Sequence, residues 1–162
     1  MQHLNVNNEI NCMQMGFTRW RRLEDNLFMH VYCQRSAEKM RKNLVITAID
    51  FAKAFDSVNR KCLIETLGYY KCDPRIIYTI ASLYTGDETE INVSGNVMGN
   101  MEVRNGIRQG CTGSPQLILM VVNVIIKKIM ETGLGFRNKK ICIPARFYAD
   151  DGMLISTSVW EM

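Results

Sequence analysis

Three aspartates stand where apolar runs end, and such positions call for a chemical reason. Asp50 closes the β-branched run LVITAID, residues 44–50, while Asp150 and Asp151 follow ARFYA. The middle of a strand excludes charge, so carboxylates at its end lie at a rim or hold a cation. Adjacent aspartates repel each other unless they are solvated, protonated or bridged by a metal ion. Their oxygens are hard ligands that suit Mg²⁺. Two such ions, about 3.5–4 Å apart, can grip the attacking and leaving oxygens of a phosphoryl transfer. One ion would activate a 3′-hydroxyl and the other would hold a triphosphate. An Asp-Asp pair alone is also what an exposed turn carries, and Asp50 alone could be an ordinary strand-end residue. The surrounding residues must decide.

The elements that would position these groups can be read from periodicity and caps. Residues 23–42 suit a helix with Leu27, Val31 and the aromatics as its apolar stripe. Residues 44–50 read as a buried strand. Ser57 can cap a helix running to about Tyr70, and Asp73-Pro74 opens another to about Tyr84. Residues 88–103 read as a hairpin turning at Ser94-Gly95-Asn96, and a glycine-containing loop spans Arg104 to Gly113. Ser114-Pro115 starts an apolar helix to about Met130. Residues 141–148 form one strand leading into Asp150-Asp151, with 153–156 as its return. Helices packed on one face of a mostly antiparallel sheet make an α+β fold. No repeat, low-complexity stretch or linker divides the chain.

Bulk properties bound the reading without fixing it. The 162 residues are 47% hydrophobic and 22% charged, enough for one domain with a core. The net charge of +4 permits nucleic-acid binding but does not establish it. Arg19, Arg21 and Arg22 cluster early, and Arg137, Lys139 and Lys140 late; a solvated face explains such clusters as well as a phosphate contact does. Six cysteines include no Cys-x-x-Cys pair, and His3 and His30 lie far from any of them, which argues against zinc. The polar, Asn-rich start shows no secretory signal, so reduced thiols in an intracellular protein are expected. The run Leu117–Ile126 is shorter than the roughly 20 residues a membrane span needs.

The constellation is more specific than any of its parts. AIDFAKAFDSVNR, GIRQGCTGSPQL and FYADDGMLIS occur in that order, preceded by MQMGFTRWRRLEDNLF. These blocks resemble motifs A, B and C and the preceding finger motif of reverse transcriptases, in the form found in non-LTR (LINE-type) retrotransposons. The resemblance runs from about residue 12 to 158. It implies a right-hand polymerase with a palm and part of the fingers: about 1–43 fingers-like, 44–56 and 105–158 palm core, 57–104 between them. It implies an RNA-directed DNA polymerase that adds dNTPs to a primer 3′-OH on an RNA template, with two Mg²⁺ ions or Mn²⁺ in their place. By the same resemblance Asp50, Asp150, Asp151 and the carbonyl of Phe51 would be the metal ligands. Phe55 would be the gate against a ribose 2′-OH, with a plain core aromatic as its other reading. Gln109 and Gly110 would line the nucleotide pocket, Tyr148 would sit beside the primer end, and Arg19, Arg21 and Arg22 would meet phosphates. Asp56 reads as structural, paired with a nearby base, and Lys53 is open to either a structural or a functional reading.

The chain also departs from the family pattern. Trp20 stands where the finger motif has glycine, Arg22 replaces a small residue and Leu23 a threonine, and motif B reads QGCTGSP instead of QGCPLSP. The family continues into a thumb that holds the primer–template duplex, which this sequence does not include. The alternatives at this point are an inactive fragment of a retrotransposon polymerase with at most residual nucleic-acid binding, an RNA-dependent RNA polymerase, and an interaction protein with no metal site.

Overall fold

Short β-branched and aromatic runs form the sheet that carries the aspartates. The computed structural model describes residues 10–139 and 141–161; His3 and Lys140 lie outside the described residues. Strand β1 (Val45–Ile49) pairs antiparallel with β7 (Asp151–Ser156), and β7 pairs antiparallel with β6 (Ala145–Tyr148). Among the described residues the order is β1-β7-β6, which leaves β1 at the edge. Thr47 and Ala48 are exposed, and β1 is half-buried where the sequence predicts full burial. An edge strand has a neighbour on one side only, so an apolar run there does not guarantee a core position.

Among the described residues four helices accompany this sheet: α1 (Leu23–Met40), α2 (Arg60–Tyr69), α3 (Pro74–Tyr84) and α4 (Ser114–Glu131). The apolar α4 supplies Leu117, Ile118, Met120, Val122 and Ile126 to a core that also takes Leu63 and Leu67 of α2, Cys33 and Ala37 of α1, and Ala145, Phe147 and Ile155 of the sheet. No helix among the described residues is long and apolar enough to cross a membrane.

Several local expectations are corrected. Helix α1 buries Asn26, Cys33 and Ala37, while Leu27 and Phe28 of the expected stripe face solvent. The Asn26 amide donates to Phe147 O and accepts from Arg146, and that pair of bonds turns the helix to this face. Helix α2 starts later than predicted, capped by Asn59, which accepts from the amides of Lys61 and Cys62; Ser57 instead closes a turn onto Lys53 and Ala54. Residues 141–148 are two strands. Pro144 ends β5 (Ile141–Ile143), which pairs with an unforeseen β4 (Phe136–Asn138), and β6 begins after it. Proline has no N–H for a ladder, so the chain changes sheets there.

The hairpin β2 (Glu88–Val93) and β3 (Asn96–Glu102) turns at Ser94-Gly95, both at positive φ (52° and 85°). That is the backbone a tight two-residue hairpin requires. Below it, Arg60 binds three carbonyls, those of Gly106, Tyr84 and Val103, and pairs with Asp87 at 2.7 Å. Arg108 takes the other oxygen of Asp87. Hydrogen bonds from Arg108 and then Arg60 hold the Asp87 carboxyl below the usual carboxylate range. Arg60→Met is therefore expected to destabilise the chain by about 2–4 kcal/mol in urea unfolding, because it strands three carbonyls at once. A loss under about 0.5 kcal/mol would mean that water replaces the guanidinium freely.

Candidate active site

The sheet register brings the aspartates to one rim. The last β1–β7 pair is Ile49 with Gly152. Asp50 follows Ile49 and Asp151 precedes Gly152, so both carboxylates leave neighbouring strands at the same end. Opposed Cα atoms in such pairs lie about 4.5–5.5 Å apart. Tyr148 pairs with Asp151, which makes Ala149-Asp150 the two-residue turn and puts Asp151 in β7, not in the bend expected from sequence. Asp50 and Asp151 are exposed and Asp150 is half-buried.

Among the described residues, no three acidic, thiol or imidazole side chains form a ready-made metal-binding group. The donor chemistry nevertheless suits a hard divalent cation, since carboxylates at adjacent strand ends offer oxygen ligands.

The loop that carries Gln109 is stitched to the segment after Asp50. Gly106 N–H donates to Val58 O and Ile107 N–H to Phe55 O, at 2.8 and 2.9 Å. The Gln109 amide donates to Asp56 at 3.0 Å. Asp56 thus pairs with an amide, which corrects the basic partner expected from the sequence. Phe51 and Phe55 are half-buried against the core. Gly110 has φ +80° with open space where a Cβ would lie, so its backbone conformation, not crowding, calls for glycine. Tyr148 is 38% exposed, one residue before the turn.

The early arginines divide. Arg21 donates to the carbonyls of Asn11 and Gln14, both at 2.6 Å, and is committed to holding its own loop. Arg19 is exposed and lies over the Trp20 ring, and Arg22 is exposed at the start of α1, where Asp25 accepts from its N–H. Lys53 is exposed in the turn after Asp50, at φ 52°.

Trp20 itself has φ 65° and is 85% exposed. The left-handed conformation explains why a glycine suits this position, and the ring is accommodated in solvent. Trp20→Gly is expected to stabilise the chain by about 0.5–1 kcal/mol, read as a higher denaturant midpoint. A midpoint that falls would mean that the ring's packing outweighs the strain.

Sequence reasoning missed Gln14, Gly16, Asn26 and Arg146. Gln14 is fully buried, and its side chain binds both polar groups of Ala149. Arg146 is buried, donates to Asn26 and Cys12 O, and is pulled below the usual guanidinium range by that burial. The available signal was a glutamine between two methionines in MQMGF, a polar group in an apolar stretch. An apolar recess lined by Ile129, Leu134, Pro144, Leu154 and Ile155 includes none of the aspartates.

Comparison with known proteins adds an independent line. The family model for reverse transcriptase (RNA-dependent DNA polymerase) matches residues 1–161. A transposon TX1 149 kDa protein of Xenopus laevis is 25% identical over 144 residues, covering 88% of this chain and 11% of that protein. The Pol polyprotein of a type-1 retrotransposable element R2 from Bradysia coprophila is 28% identical over 123 residues, covering 76% of this chain and 14% of that protein. The chain therefore spans a small part of these relatives. Among solved structures, apo telomerase from Candida tropicalis, truncated from its C-terminal domain, superposes with a TM-score of 0.63 at 13% identity, covering 92% of this chain and 30% of that one. That likeness shows the fold, a right-hand polymerase architecture.

Proposed function

Because the chain belongs to the reverse transcriptase (RNA-dependent DNA polymerase) family, whose members generally use divalent metal ions, we propose that it forms the catalytic core of an enzyme that extends a primer 3′-OH with dNTPs on an RNA template. In this reading 44–56 and 105–158 are palm, 1–43 belong to the fingers, and 57–104 connect motifs A and B. The observation that carries it is the register that sets Asp50 and Asp151 at one strand end, with the Gln109 loop bound to the same segment.

Asp50, Asp150 and Asp151, with the Phe51 carbonyl, would hold two Mg²⁺ ions or Mn²⁺ in their place. Such ions, when bound, supply charge neutralisation at the triphosphate and a more acidic 3′-hydroxyl. The rest falls to this chain's own residues. The Gln109–Gly110 loop, tied to Asp56, gives the incoming nucleotide a wall that does not drift. Arg19 and Arg22 face outward and can meet phosphates of substrate or template. Arg21 keeps the loop before α1 in shape. Tyr148 offers an aromatic face beside the turn for the primer end.

Phe55 would close the pocket against a 2′-hydroxyl. Phe55→Ala is expected to raise incorporation of ribonucleotides relative to deoxynucleotides by about 10–100-fold, in the range that one steric group commands. Competition between dTTP and UTP on a poly(rA) template tests both claims. Preference for dTTP in wild type, eroded in the variant, supports the reading. Preference for UTP in wild type would make the chain an RNA polymerase.

A further inference from the structure

The turn that presents Asp150 is held by one buried amide. Ala149 has φ 57°, a conformation that favours glycine, and is 6% exposed. Gln14 lies 135 residues away in sequence and is 0% exposed. Its Nε2 donates to Ala149 O at 2.8 Å, and its Oε1 accepts from Ala149 N–H at 2.9 Å. The same Oε1 accepts from Gly16 N–H at 2.9 Å. The partners fix the amide's orientation, because a flipped group would set its NH₂ against two N–H donors.

The backbone around Gln14 is anchored as well. Phe147 N–H donates to Met13 O and Met15 N–H to Phe147 O, which makes a parallel bridge beside β6. Arg21 binds Gln14 O. The side chain therefore projects from a fixed base to the turn, one residue before Asp150. Without it the buried N–H and C=O of Ala149 would lose both partners, and the turn could relax toward a conformation that alanine prefers.

We propose that Gln14 is a positioning residue: it locks Ala149 in the left-handed conformation and so sets the direction in which Asp150 and Asp151 leave the hairpin. This deepens the polymerase reading and rests on it for its effect on rate.

The test compares Gln14→Met, an apolar residue of similar length, with Gln14→Glu. The protonated carboxyl, favoured by burial, keeps a carbonyl acceptor and gains an O–H donor. Amide hydrogen exchange at Ala149 and Gly16 is followed alongside steady-state dTTP incorporation. In Gln14→Met the two amides should exchange at least about 30-fold faster, while those of the β1–β7 ladder stay slow. Its kcat should fall about 10–100-fold with KM for dTTP within about threefold, because misplaced ligands slow the chemical step. Gln14→Glu should recover most of that loss. A folded Gln14→Met variant with exchange and kcat within twofold of wild type overturns the proposal, as does a loss seen only in KM. If Gln14→Met does not fold, Gln14→Asn decides, because an amide one methylene shorter does not reach Ala149: faster exchange at Ala149 and Gly16 with kcat down about 10–100-fold supports the clamp, and exchange and kcat within twofold of wild type overturn it. If wild type incorporates nothing, the polymerase reading fails, and the exchange comparison still decides whether Gln14 holds the turn.

Discussion

Asp50→Asn and Asp151→Asn are each expected to lower dNTP incorporation about a thousandfold or more while leaving the unfolding midpoint close to wild type. The change is nearly isosteric, but it removes a charge and one hard oxygen ligand. Metal assistance contributes several kcal/mol to such transfers, and about 1.36 kcal/mol corresponds to each factor of ten. Both residues are exposed at strand ends, so the fold depends little on them. Single-turnover rates at rising Mn²⁺ are the measurement. Partial recovery at high Mn²⁺ marks weakened metal binding. A folded variant with a rate within tenfold of wild type would take that residue out of the metal set.

Gly16→Ala is expected to cost about 3 kcal/mol in stability and most of the activity with it. A Cβ there would lie 2.1 Å from Ala149 N, 2.8 Å from Ala149 Cα and 2.9 Å from the carbonyl carbon of Tyr148. All three are backbone atoms and cannot rotate away. The segment at 13–16 must therefore leave β6, breaking the Met13 and Met15 bonds to Phe147 and shifting the turn before Asp150. Overpacking of this kind costs about 1–3 kcal/mol, more where nothing can yield. Gly68→Ala is the control. It sits in α2 with nothing within 4 Å of its Cβ, and there alanine should stabilise by about 0.5–1 kcal/mol. Thermal or urea unfolding reads both. Equal, small effects at the two positions would show that the 13–16 segment does not press on the hairpin.

What could be read in advance follows from how local each cause is. Asp50, Asp150 and Asp151 end apolar runs, and that contrast is visible in a few consecutive residues. The hairpin at Ser94-Gly95 and the Asp73 cap of α3 are likewise written in adjacent positions. The burial of α1 was not legible, because Asn26 finds its partners 120 and 121 residues away in Arg146 and Phe147. The same is true of Gln14, whose role exists only once β6 and β7 have closed their turn. β4 is three residues long and has no periodicity to detect, so Pro144 had to reveal itself by dividing a run that reads as one strand.

The central claim is that these carboxylates form a working polymerase centre. Its most direct test is divalent-cation-dependent dTTP incorporation on an oligo(dT)·poly(rA) duplex, with the chain alone and with a related thumb domain fused to it, and Asp150→Asn beside each. We expect extension that requires Mg²⁺ or Mn²⁺ and is abolished by Asp150→Asn. Folded protein that extends no primer in either form, or an Asp150→Asn variant as active as wild type, would contradict the account and leave a polymerase fold whose chemistry has been lost.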